Sequence, residues 1–71
     1  MITGMKIQRD KLAKTVYTKM PNGFSLEWTG RSFFYFKPGV LMNKVTEDTH
    51  LVPAELDDML HSAMTVLKQA L

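Results

Sequence analysis

The polar cluster best suited to chemistry is "ELDDMLHS", residues 55–62. Asp57 and His61 stand four apart, with Asp58 three before His61, so on a helix these groups share one face. Such a set could hold a metal ion or position a base. Its ordinary form is a solvated helix face carrying one carboxylate–imidazole contact, and that reading is taken here: no metal, cofactor or catalytic residue is assigned. His50 is isolated in the sequence, and Ser25, Ser32 and Ser62 have no base at an informative spacing. The glycines are scattered turn residues and form no phosphate loop. Without a nucleophile, base or metal held together in a cleft, the expectation is a non-catalytic protein.

The second pattern is "GRSFFYFKPG", residues 30–39, with four consecutive aromatics bracketed by Arg31 and Lys37. In an extended strand side chains alternate between faces. Arg31, Phe33, Tyr35 and Lys37 therefore make one line of alternating charge and ring, and Ser32, Phe34 and Phe36 make the other. The amphipathic line is expected to face outward and Phe34 and Phe36 to join the core. Tyr17 and Lys19 offer a similar pair opposite Val16, Thr18 and Met20. The expected contact surface is thus Tyr17, Lys19, Arg31, Phe33, Tyr35 and Lys37, with Lys11 and Lys14 nearby and Glu27 weakening the field. Rings among cations suit single-stranded nucleic acid, whose bases stack and whose phosphates are neutralised. The alternative is a protein-interaction module or inhibitor, using the same face against an acidic protein surface. A homodimer is expected as well, burying the same face, and is compatible with either. "RSFFYF" has the basic start and the rings of the RNA-recognition RNP1 pattern but lacks its glycine and small spacer.

The elements that position these residues follow from local pattern. Residues 1–13 read as a first strand or a basic N-terminal arm, Met5 and Ile7 alternating with polar neighbours. Residues 14–45 read as a β-meander. "TVYTKM" is rich in β-branched and aromatic residues. "PNG" then supplies a turn, Gly23 taking the left-handed conformation that a following bulge needs. "FSLEWT" puts Phe24, Leu26 and Trp28 on one face. Gly30 closes the next turn, Pro38-Gly39 suits a type II turn, and "VLMNKV" is expected as a further strand. Residues 53–71 read as one helix. Pro53 suits its first position, acids crowd the first turns, Lys68 lies near the end, and Leu56, Met59, Leu60, Ala63, Leu67 and Ala70 form an apolar stripe. The fold class is α+β: an antiparallel meander of 3–5 strands with one C-terminal amphipathic helix on one face. This order of elements is similar to the single-strand DNA-binding domain of the transcriptional coactivator family. The likeness covers element order alone, and no residue is carried over from it.

Length and charge set the remaining bounds. Seventy-one residues make a single small domain, whose core is small enough that a partner or very good packing is expected to support it. The absence of cysteine fits a reducing, cytoplasmic location. The N-terminus has no sustained apolar run, and no stretch is long enough to span a membrane. Net charge is +2, but residues 1–44 carry +6 and residues 45–71 carry −4. That asymmetry points either to a polyanion contact on the first half or to attraction between the halves.

Overall fold

The computed structural model describes residues 6–71. Met5 lies outside the described residues. The chain forms five antiparallel strands in sequential order, β1 (Gln8–Asp10), β2 (Thr15–Lys19), β3 (Ser25–Trp28), β4 (Phe33–Phe36) and β5 (Asn43–Val45), followed by α1 (Ala54–Ala70). This is the expected α+β meander with its helix against one sheet face.

The turns form where local chemistry dictates. The Asp10 carboxylate accepts the backbone N–H groups of Leu12 and Ala13 (3.1 and 3.0 Å), closing the β1–β2 turn as an Asx motif. In the β2–β3 turn, Gly23 takes φ +89° and donates to the Met20 carbonyl at 3.1 Å. At the β4–β5 turn, Gly39 takes φ +81° and the Val40 N–H donates to the Lys37 carbonyl. The expected strand at 40–45 is confined to Asn43–Val45, with Leu41 and Met42 exposed in the loop before it.

The helix begins one residue later than the pattern suggests, with Pro53 as its N-cap. Its carbonyl accepts the N–H groups of Leu56 and Asp57 (3.0 and 3.2 Å). The apolar stripe packs as expected: Leu60, Ala63 and Leu67 are buried together with Met64, while Leu56, Met59 and Ala70 border the core. At the far end the Arg9 guanidinium donates to the Ala70 carbonyl, satisfying one of the acceptors that a helix C-terminus leaves open.

The sheet contributes Val16, Met20, Leu26, Phe33, Tyr35 and Val45 to this core. This reverses the expected facing of β4. Phe33 and Tyr35 are 4% and 7% exposed beneath the helix, and Phe34 and Phe36 lie on the opposite face. The reason is the length of the β3–β4 turn. Directly paired residues in an antiparallel ladder point to the same side, and Trp28 pairs with Phe33, and Leu26 with Tyr35. The four residues Thr29–Ser32 lie between Trp28 and Phe33, their turn closed by the Thr29 N–H donating to the Ser32 carbonyl at 3.2 Å. A turn one residue longer or shorter would have swapped every side chain of β4.

The cations of the motif find other roles. Arg31 is exposed in the turn and is not part of the strand. Lys37 holds its ammonium 4.9 Å from the centre of the Phe24 ring, which itself stacks on Tyr35 with centroids 4.4 Å apart and planes 9° from parallel. Trp28 and Phe33 pack at 4.4 Å, with the Lys68 ammonium 6.0 and 5.8 Å from their ring centres. The alternation of charge and ring is thus used at the margin of the core, where cations sit over aromatic faces. The Tyr35 hydroxyl accepts the Asn22 side-chain N–H at 2.7 Å, so the buried ring keeps a satisfied polar tip.

Candidate functional site

The helix contacts β2 and β3 on one face of the sheet only. Among the described residues no element packs on the other. Strand register defines what that open face presents. One row runs across all five strands: Gln8, Tyr17, Glu27, Phe34 and Lys44. A second row holds Lys19, Ser25 and Phe36, and a third pairs Asp10 with Thr15. Tyr17, Phe34 and Phe36 are half-buried, and Lys19 and Lys44 are exposed.

Hydrogen bonds stiffen this surface. The Tyr17 hydroxyl donates to the Gln8 side-chain oxygen at 2.9 Å. Glu27 stands between Tyr17 and Phe34 in the row, and the Thr15 hydroxyl donates to one of its carboxylate oxygens at 3.1 Å, holding the carboxylate toward the diagonal neighbour on β2. The carboxylate keeps acceptor capacity for an incoming group. A shallow depression of about 600 Å³ opens beside it, lined by Tyr17, Lys19, Ser25, Glu27, Phe36 and Pro38 among others.

The structure therefore brings together only part of the expected surface. Tyr17 and Lys19 lie on the open face as expected. Phe33 and Tyr35 do not: both are in the core. Lys37 lies over Phe24 at the core margin. Lys11, Lys14 and Arg31 are exposed in the β1–β2 and β3–β4 turns, which a meander puts at the same end of the sheet. The residues that sequence reasoning left out are Phe34, Phe36 and Lys44. The first two follow from the four-residue length of the Thr29–Ser32 turn, which the Trp28–Phe33 pairing defines and local pattern does not. Within the paired strands the open face carries two cations, Lys19 and Lys44, and two acids, Asp10 and Glu27. Among the described residues the lysine–carboxylate pair Lys68–Glu47 and the two histidine–Asp57 contacts all fall within residues 47–68, so none joins the basic first half of the chain to the acidic second half.

A second cluster forms where the chain enters the helix. Asp57 accepts the Leu51 backbone N–H at 2.9 Å. Its carboxylate lies 3.3 Å from His50 Nδ1 and 3.4 Å from His61 Nε2. The local cause is Pro53. Asp57 stands four residues after the Pro53 N-cap, and because proline offers no N–H its carboxylate takes the Leu51 N–H of the incoming chain. The Leu51 hydrogen bond, helped by the two histidines, holds the Asp57 carboxyl below its ordinary value near 3.8. The Lys68 ammonium likewise lowers Glu47 from near 4.5. His61 Nε2 also lies 2.9 Å from the Thr49 carbonyl, which can only accept, so that nitrogen carries the ring proton here.

The fold and the open face define an α+β sheet protein with one uncovered aromatic surface. No protein-family model, curated protein or solved structure matches the chain. No helix among the described residues is long and apolar enough to cross a membrane.

Proposed function

We propose that this chain is a non-catalytic protein-interaction module whose open sheet face docks a different protein through that partner's basic residue. The observation that carries the reading is the row Tyr17–Glu27–Phe34, an acidic residue between two aromatic positions on an uncovered sheet. An arginine suits this row. Its guanidinium pairs with a carboxylate and stacks on aromatic faces at once, and arginine and aromatic side chains dominate interface energetics. The same feature weighs against the other occupants. Glu27 lies on the third of five strands, near the sheet's centre. A two-fold dimer whose axis passes near this row would bring each Glu27 close to its own copy, and like charges repel. Phosphates would meet the same carboxylate on a face without net positive charge, whereas nucleic-acid affinity rests on phosphate neutralisation.

Single-stranded nucleic acid is kept as the second reading on one observation. Lys11, Lys14 and Arg31 form no ion pair with any described residue and project from turns at the same end of the sheet.

A displayed random-peptide library panned on the purified protein tests the first reading. Enriched sequences should carry arginine beside an aromatic or aliphatic residue, and enrichment should be lost on Glu27→Lys and on Phe34→Ser. Enrichment of acidic peptides, or enrichment that survives both changes, would refute it. A labelled oligothymidine titrated in parallel should give no saturable binding at low salt. Binding that weakens with salt at a slope near −0.7 per phosphate, and that Lys11→Ala/Lys14→Ala/Arg31→Ala abolishes, would favour the second reading.

A further inference from the structure

We propose that His50, Asp57 and His61 form a binding site for a divalent transition-metal ion, zinc being the best fit, which ties the β5–α1 connection to the helix. Each residue offers one ligand atom, and these atoms lie within 4.8 Å of one another. The two shortest contacts end on different carboxylate oxygens, His50 Nδ1 on Oδ2 at 3.3 Å and His61 Nε2 on Oδ1 at 3.4 Å. A tetrahedron with zinc's bond lengths of about 2.0–2.1 Å has edges of about 3.3–3.4 Å, so side-chain rotations that bring both imidazoles to one Asp57 oxygen complete the set. The two imidazoles already converge, with ring centroids 5.6 Å apart.

The donor set selects the class of ion. Two imidazole nitrogens and one carboxylate oxygen suit zinc and its first-row neighbours, whereas magnesium and calcium take oxygen shells. The Leu51 N–H gives the carboxylate an outer partner of the kind that orients metal ligands. The His50 side chain is 74% exposed, which leaves an entry path and an open coordination position for water or an incoming group. Binding requires one exchange: the Nε2 proton that His61 directs at the Thr49 carbonyl must leave that nitrogen while Nδ1 takes one up from solvent, so that the ring ligates as the neutral Nδ1–H tautomer. Residues 46–53 join the last strand to the helix, and the site crosses that join, so the ion acts as a clip of the kind that small domains use in place of disulfides.

The test uses the untagged chain, dialysed against chelator, with zinc chloride as probe and magnesium chloride as control. Thermal unfolding should shift upward with zinc, on the order of 10 °C at a hundredfold excess over Kd, and return to its starting value on adding chelator. Magnesium should leave it unchanged. His50→Gln should abolish the shift while leaving the metal-free melting temperature nearly unaltered, because its side chain is mostly exposed. As a readout independent of any variant's folding, one equivalent of zinc should move the imidazole nitrogen resonances of both His50 and His61 in the native chain. Unmoved resonances, or a stabilisation that persists in His50→Gln, would overturn the site.

Discussion

The facing of β4 can be tested by removing its rings one at a time. Phe33 is 4% exposed and packs against Trp28 at a 4.4 Å centroid distance. Phe33→Ala removes a buried ring and leaves a cavity between sheet and helix, a change that typically costs about 3–5 kcal/mol. A chain of 71 residues has a total stability of about 4–11 kcal/mol, so this variant loses a large share of it. Phe34 is half-buried on the open face and has no helix above it. Phe34→Ala should cost about 1 kcal/mol, in the usual range for a residue outside the core. Urea unfolding followed by far-ultraviolet circular dichroism measures both, and Phe33→Leu supplies a milder change if Phe33→Ala fails to fold. The melting temperature should fall by about 12 °C or more for Phe33→Ala and by about 4–8 °C for Phe34→Ala, given roughly 4–8 °C per kcal/mol in so small a domain. If Phe34→Ala proved as costly as Phe33→Ala, the ladder register and the open face built on it would both be wrong.

Other consequences follow from single sites. Gly23 takes φ +89° with open space where a side chain would begin, so Gly23→Ala should destabilise by about 1–2 kcal/mol through backbone strain alone. Gly23→Asn should recover part of that loss, because asparagine tolerates the left-handed region; equal unfolding midpoints for wild type and Gly23→Ala would contradict this. Acid should also weaken the fold. Asp57 and Glu47 titrate lower when folded than their ordinary values near 3.8 and 4.5. The unfolded chain therefore takes up protons first as pH falls. Their contribution is complete above those ordinary values and is lost as pH drops through the lower folded ones. Unfolding midpoints measured from pH 6 to pH 2.5 should decline across that window, and less steeply in Asp57→Asn/Glu47→Gln. An unchanged slope in that double variant would assign the acid sensitivity elsewhere.

Local chemistry was open to reading in the sequence wherever a few adjacent residues decide the backbone. Pro21-Asn22-Gly23 and Pro38-Gly39 fixed two turns, strict alternation fixed the faces of Phe24, Leu26 and Trp28, and a 3.6-residue period fixed the helix stripe. These signals were sufficient for the α+β meander and its covering helix. Only the tertiary structure decided which way Phe33 to Phe36 point, because a run of four aromatics alternates equally well in either phase. The ladder pairing across Thr29–Ser32 chose between the phases, and with them the rings that remain outside. The meeting of His50 with Asp57 and His61 was beyond local pattern for a related reason: His50 precedes Asp57 by seven positions, and the path between them depends on how the chain turns at Pro53 and docks on the helix. Spacing along a chain fixes proximity within one regular element; between elements, packing fixes it.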